Sequence, residues 1–300
     1  MKHLFIVNPA AGKEDQTLRI RREAVALFGA ESVEVVSSQG PGDCLRIARE
    51  TGESGIPQLL YACGGDGTLN EVVRGAMGYD NLAVTCCPCG SGNDYIKQFP
   101  NPAAFYRLEN FRSIRQENVD LMAVNDQIAV NVCSVGFDAR IGTDINAFRR
   151  LPLLSGPRAY HASVVVNLIR GVSKPCRVEM PGEAVIDGEQ SLVCVCNGSW
   201  YGGSYHPIPE ADIQDGILDV LVVKKVSRLT VARVISAYQR GEYAKYPNLI
   251  TRYRTTSLTI QTPDPEPVNL DGELLRTNQV EIRVLPGALR FFGPQKAWEK

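Results

Sequence analysis

Three turns in the first third of the chain carry residues that can hold a phosphate. Gly64-Gly65-Asp66-Gly67-Thr68 stands between an apolar run, Leu59–Ala62, and a helical pattern over Leu69–Met77. Glycines there permit positive φ angles and close backbone approach. The N–H groups at a helix start form an anion site that the helix dipole reinforces. An aspartate among such donors repels a phosphate unless a cation stands between them, which points to a magnesium nucleotide. Taken alone, the same five residues serve equally well as a tight strand–helix connection. Two further turns shift that balance. Asn8-Pro9-Ala10-Ala11-Gly12-Lys13 offers an amide, free backbone and a cation, and Gly90-Ser91-Gly92-Asn93-Asp94 repeats the glycine and carboxylate chemistry.

The elements that must position these turns follow a regular alternation. Leu4–Val7, Val33–Val36, Leu59–Ala62 and Ala83–Cys87 read as short strands; Leu18–Phe28, Cys44–Ala48 and Leu69–Met77 read as helices. Strand, turn, helix, repeated, predicts a parallel sheet wound with helices, whose ligands bind at the carboxyl ends of the strands. All three glycine turns fall at such ends. After about residue 120 the pattern changes to short β runs at Ile128–Val132, Arg177–Met180, Ser191–Cys196, Leu218–Val223, Ser257–Gln261 and Val280–Val284, with helices around Tyr160–Ile169 and Leu229–Tyr238. Asp187-Gly188, Asp215-Gly216 and Asp271-Gly272 mark turns between them, and Pro263–Pro267 reads as an edge turn. This half predicts an antiparallel sandwich with a few helices.

Composition excludes several classes. With 32 basic and 33 acidic residues the net charge is -1, which argues against a general nucleic-acid binder. Hydrophobic residues at 44% and charged residues at 22% are globular values. The nine cysteines lie mostly inside apolar runs, the pattern of buried thiols in a reducing compartment. Cys86, Cys87 and Cys89 lack a second spaced pair and a nearby histidine, so a strand end explains them better than a metal. Leu4–Val7 is too short for a signal-peptide core, and no apolar stretch reaches about 18 residues. A soluble cytoplasmic protein is expected, reaching a membrane only at its surface. Neither a Walker A loop nor a Gly-x-Gly-x-x-Gly fingerprint appears.

These motifs together resemble the diacylglycerol kinase catalytic-domain family, which spans bacterial diacylglycerol kinases and the sphingosine and ceramide kinases. The likeness covers nearly the whole chain. Its most specific element is Gly64–Thr68 in register with the Asn8–Lys13 and Gly90–Asp94 turns. Asn131–Phe137, Asn197–Gly203, Asp212–Asp219 and Asn269-Leu270-Asp271-Gly272-Glu273 extend it into the second half. NAD kinases and phosphofructokinases share Gly-Gly-Asp-Gly-Thr, and the later motifs favour the lipid kinases. The resemblance implies an α/β nucleotide-binding domain over residues 1–120, of phosphofructokinase and NAD kinase type. It also implies an antiparallel β-sandwich lipid domain over 121–285, and a tail, about 286–300, that returns to the first domain.

The resemblance also implies roles. Asn8, Ser38, Gly65, Asp66, Gly67, Thr68, Leu69, Asn70, Glu71 and Ser91 are expected to contact ATP, with Asn93 and Asp94 beside them. Asp212, Asp215 and Ile217 are expected to hold a magnesium ion. Glu273 is the expected proton acceptor, with Asp271 and Asp66 as further catalytic carboxylates. Ser91 stands where threonine is usual, Ala11 replaces a frequent serine, and Lys97 replaces an arginine. The expected function is ATP- and Mg2+-dependent phosphorylation of a lipid hydroxyl, that of diacylglycerol or a related lipid. The alternatives are a soluble-substrate kinase of NAD-kinase type, or a silent nucleotide-binding module. Expected partners are ATP, a lipid acceptor and a transient anionic membrane surface, with no nucleic acid and with homodimerisation left open.

Several residues keep two readings. His161 and His206 are rival bases, or else loop and core histidines. Trp200 and Tyr201 either flank the acceptor or pack the sandwich. From Arg140 to Arg177 seven cations stand against the single acid Asp144. Within that stretch Leu151-Pro152-Leu153-Leu154, flanked by Arg150 and Arg158, reads either as a membrane-docking tip or as core leucines of a solvated helix pair.

Overall fold

The computed structural model describes residues 2–148 and 157–299, with the side chains of 145–148, 157–161 and 164 outside the description. The chain forms two compact units: residues 1–121 with 286–300, and residues 122–285.

The first unit opens with β1 (Lys2–Val7), α1 (Thr17–Phe28), β2 (Val33–Ser37), α2 (Asp43–Glu53), β3 (Gln58–Gly64), α3 (Asp66–Ala76) and β4 (Leu82–Pro88). Strands β4, β3, β1 and β2 lie side by side in that order and all pair in parallel. Strand β5 (Ile114–Val124) leads out of this unit. Four consecutive residues of β1 and six of β3 are buried, because helices cover both faces of a parallel sheet. The returning tail is held by its aromatic residues. Phe291 pairs with Val84 of β4 and stacks on Phe99 at 5.6 Å, while Trp298 meets Phe99 edge-on at 5.2 Å.

Packing at the far edge has a titratable member. The His3 ring stacks on Phe28 at 4.0 Å and its Nδ1 lies 3.0 Å from the Tyr61 hydroxyl. Burial pushes this imidazole down to about 4 from an ordinary 6.5. Between those values the unfolded chain takes up a proton that the fold refuses. Stability is therefore whole above pH 6.5 and falls as the pH drops towards 4. Thermal unfolding across that window is expected to show the slope in the parent protein and a flatter profile in His3→Phe. Identical profiles would remove His3 from the acid response.

The second unit contains β6 (Gln127–Ala129), β7 (Val132–Gly136), α4 (Phe137–Phe148), α5 (Pro157–Arg170), β8 (Lys174–Pro175), β9 (Arg177–Glu179), β10 (Glu189–Cys196), β11 (Leu218–Lys224), α6 (Arg228–Gln239), β12 (Ile250–Thr255), β13 (Ser257–Leu270) and β14 (Glu273–Pro294), the last running on into the first unit. The strand order is β12-β11-β10-β7-β13-β14, antiparallel throughout. Alternation along β10 explains its unbroken apolar sequence. Val193 and Val195 face one core with Val220 and Val222 of β11, whereas Leu192, Cys194 and Cys196 face a second core capped by Val234 and Tyr238 of α6. This is a sandwich-like unit in which the central strands are buried on both sides.

Candidate active site

The glycine turns do meet, at the carboxyl ends of adjacent strands. The N–H groups of Cys89 and Gly90 donate to the Gly64 carbonyl at 2.8 and 3.1 Å, joining the β3 and β4 turns. A Cβ on Gly90 would lie 2.5 Å from the Gly65 Cα, so the two backbones touch where only glycine fits. Gly12, at φ +80°, faces the Cys89 carbonyl, which a Cβ there would meet at 2.4 Å. The Asn8 side-chain amide donates to the Thr68 hydroxyl at 3.2 Å, and its carbonyl oxygen accepts from the Ala10 N–H at 3.0 Å. Ser38 closes the row at the end of β2, donating its N–H to the Val7 carbonyl at 2.8 Å. Four neighbouring strands thus present Asn8, Ser38, Gly65–Thr68 and Ser91 along one edge of the sheet.

The carboxylates in this row have assigned tasks. Asp66 begins α3 and accepts from the Tyr95 N–H at 3.1 Å. Asp94, buried, pairs with Lys97 at 2.6 Å. That ion pair offsets the negative charge that would otherwise repel a phosphate at the third turn. Asn93, at φ +49°, donates to the Gly90 carbonyl at 2.8 Å and so shapes the turn from within. Leu69 and Asn70 are buried along α3. Glu71 spends both oxygens on the start of α2, accepting from Gly42 at 2.8 Å and Cys44 at 3.1 Å. Its place is between two helices, where it fixes α2 against α3. The cysteines beneath the turns are free thiols; burial pushes Cys86 up, and Cys87 is raised first by its hydrogen bond to Cys63. Protonated thiols of this kind are poor nucleophiles and poor metal ligands.

In the second unit Leu270-Asp271-Gly272-Glu273 closes the β13–β14 hairpin. Asp271 and Gly272 both have positive φ, +50° and +96°, as a two-residue turn between twisted strands demands. The Asp271 carboxylate accepts three backbone N–H groups, from Val130 at 2.5 Å, Asn131 at 3.0 Å and Val132 at 2.8 Å. The Asp271 side chain, expected among the catalytic carboxylates, anchors the hairpin to the β6–β7 connection. That connection is why the strand expected over Ile128–Val132 is interrupted: its N–H groups turn to Asp271. Glu273 follows at the exposed first position of β14.

The rival bases separate. His206 stacks on Trp200 at 4.0 Å, and burial lowers its pKa below the ordinary value. The Tyr201 hydroxyl lies 3.0 Å from that of Tyr238 and 3.3 Å from the Asp138 carboxylate, with the half-buried ring packed against the core under α6. The side chain of His161 lies outside the description. Asp138, which lies outside the motifs, is a half-buried carboxyl whose pKa desolvation pushes up. Its signal in the sequence is an acid at a helix start directly after Gly136-Phe137.

A metal is expected at Asp212, Asp215 and Ile217, where both carboxylates are already engaged. Asp212 Oδ1 accepts from the Gln214 N–H and Asp215 Oδ1 from the Ile217 N–H, each at 3.0 Å. The other Asp215 oxygen is ion-paired with Arg254. The set does not fit a divalent ion as it stands, because an ion would have to take Asp215 from a guanidinium. Among the described residues no group of three or more His, Cys, Asp or Glu side chains forms a metal cluster.

The proposed docking tip, with Arg149, Arg150 and Leu151–Leu154, lies outside the described residues. The cations around it are less free than their count suggests. Arg140 is buried, donating to the Val172 carbonyl at 2.5 Å and lying 3.8 Å from Glu266. Arg170 pairs with Asp144 at 2.8 Å, and Arg177 with Glu179 at 2.6 Å. Among the described residues no helix is long and apolar enough to cross a membrane.

Comparison with known proteins gives concordant matches to both halves. Residues 2–124 match the diacylglycerol kinase catalytic domain, and residues 131–293 match the YegS C-terminal NAD kinase beta sandwich-like domain. "Probable lipid kinase YegS" of Escherichia coli O127:H6 is 29% identical over 296 residues, covering 96% of this chain and 94% of its own. "Diacylglycerol kinase" of Staphylococcus carnosus strain TM300 is 25% identical over 272 residues, covering 90% and 87%. A crystal structure of a diacylglycerol kinase from Bacillus anthracis str. Sterne is similar with a TM-score of 0.68 at 22% identity, over 97% of this chain and 96% of that one. At that identity the likeness speaks for the fold, an α/β unit followed by a sandwich-like one.

Proposed function

We propose that this chain, which belongs to the lipid kinase family of diacylglycerol kinase catalytic domains carrying a YegS-type C-terminal domain, uses ATP to phosphorylate a lipid hydroxyl, that of diacylglycerol or a related lipid. The observation that carries the reading is the stack of three glycine turns at adjacent strand ends. It presents backbone N–H groups, the Thr68 and Ser91 hydroxyls and the Asn8 amide to one edge, without a side chain to hold a phosphate away.

Phosphoryl transfer asks chiefly for positioning and charge neutralisation. The turns hold the nucleotide phosphates, and the Lys97–Asp94 pair keeps the third turn from repelling them. Glu273 accepts the proton of the acceptor hydroxyl as its oxygen bonds to the γ-phosphorus and the bond to ADP breaks. Magnesium arriving with the nucleotide would neutralise phosphate charge, and Asp66, at the start of α3, is the carboxylate placed among the turns to meet it. A membrane-borne acceptor calls for transient contact with a bilayer. Exposed Val165 and Ile169 on α5 and Leu229 on α6 support such a contact, and Arg228 links the two helices through the Ile169 carbonyl at 2.9 Å.

The test is transfer of labelled γ-phosphate across a panel of diacylglycerol, other hydroxyl lipids and NAD. The expected result is label in the organic phase with one lipid class. Label on NAD alone favours the soluble-substrate reading, and no label with any acceptor overturns both.

A further inference from the structure

The turn before β11 is closed by a cation belonging to the chain itself. Strands β11 and β12 pair antiparallel with Asp219 opposite Arg254 and Leu221 opposite Arg252. This register sets two guanidinium groups beside the acidic turn. Arg252 pairs with Asp219 at 2.7 Å, and Arg254 reaches Asp219 at 3.7 Å with its Nε and Asp215 with its Nη2. Asp219 is 1% exposed and cannot be left ionised there without a counter-ion. One fork, Arg254, therefore spans a buried acid and the turn acid that resemblance alone would give to a metal.

We propose that Arg254 is the resident counter-ion of the Asp212–Ile217 turn, so that this protein closes the turn without a divalent ion, and that loss of Arg254 frees Asp215 to take Mg2+. A guanidinium fixed by strand register acts at the high effective concentration of an attached group. Magnesium sheds its water reluctantly and demands near-octahedral geometry. A planar fork already bound to the same carboxylates has the advantage at this site. Removal of the fork leaves Asp215 without its guanidinium while Asp219 keeps Arg252, and the uncompensated Asp215 is what draws a divalent cation.

The experiment uses the full chain without nucleotide, comparing the parent, Asp215→Asn, Arg254→Gln and the double variant. Thermal unfolding is followed with EDTA or Mg2+, and ion uptake by Mn2+ paramagnetic resonance. The parent is expected to show one Tm in both conditions and no Mn2+ uptake that depends on Asp215. Arg254→Gln is expected to lose about 2–4 °C in EDTA, to regain it saturably with Mg2+, and to bind Mn2+ in a way the double variant does not. Mn2+ uptake by the parent that Asp215→Asn abolishes would overturn the proposal, and needs no folded Arg254 variant to be seen. A folded Arg254→Gln protein without any metal response would overturn it too. Both readouts are independent of phosphoryl transfer, so neither failure touches the kinase reading.

Discussion

Glu273→Gln is expected to lower turnover by about 10²–10⁴-fold while leaving ATP affinity and Tm where they were. The substitution keeps the shape of the side chain and removes its ability to take a proton. Asp271 and Gly272 occupy left-handed backbone, and the three N–H groups bound by Asp271 fix the hairpin, so that the turn fixes the backbone of the residue after Gly272. A base needs that fixity to stay within reach of a hydroxyl. Asp271→Asn is the companion experiment. It is expected to cost about 1–3 kcal/mol of stability, because an amide cannot accept from all three donors as a carboxylate does. A loss of activity in Asp271→Asn should thus come with a lower denaturation midpoint, whereas Glu273→Gln should show none. Normal turnover of Glu273→Gln at saturating lipid removes that residue from the mechanism.

What could be read in advance follows from how local each signal is. Leu192–Cys196 announces a strand because β10 is buried on both faces, so every position is apolar. Cys44–Ala48 announces only half of α2, whose helix runs over Asp43–Glu53; its outer face is Arg46, Arg49 and Glu50, and only Cys44, Ile47, Ala48 and Gly52 are buried. The start of β5 is polar, Arg115-Gln116-Glu117-Asn118, and exposed enough that no alternation marks it. Pro263–Pro267 reads as a turn but lies within β13, where the register shifts between Gln261 and Glu266 so that Pro263 and Pro265 need not donate to a ladder, and Pro267 pairs with Arg276. In the site, the glycine turns are legible because each is a local motif at a strand end. The tasks of its carboxylates are not. Asp271 meets Val130 across 141 residues, Glu71 meets Gly42 across 29, and Arg254 meets Asp215 across 39. Charge counting along the chain fails for the same reason: Arg140 is answered by Glu266, which no local window contains.

Gly90→Ala is expected to weaken ATP binding by about 10²-fold while the sheet and the aromatic core beneath it stay folded. The added methyl would stand 2.5 Å from the Gly65 Cα, 3.0 Å from its nitrogen and 3.1 Å from the Asn93 side-chain oxygen. Two of those three neighbours are main chain, so no rotamer change relieves the contact, and the β3 and β4 turns must part. Their separation breaks the Cys89 and Gly90 hydrogen bonds to the Gly64 carbonyl and moves the N–H groups away from any phosphate they share. Gly40→Ala is the control, since a Cβ there meets nothing within 4 Å and its φ is not in the left-handed range. Circular dichroism establishes that both proteins fold, and calorimetric titration with ATP measures the difference. If Gly90→Ala binds ATP as tightly as Gly40→Ala does, the stacked turns do not hold the nucleotide, and the phosphate site must be sought elsewhere.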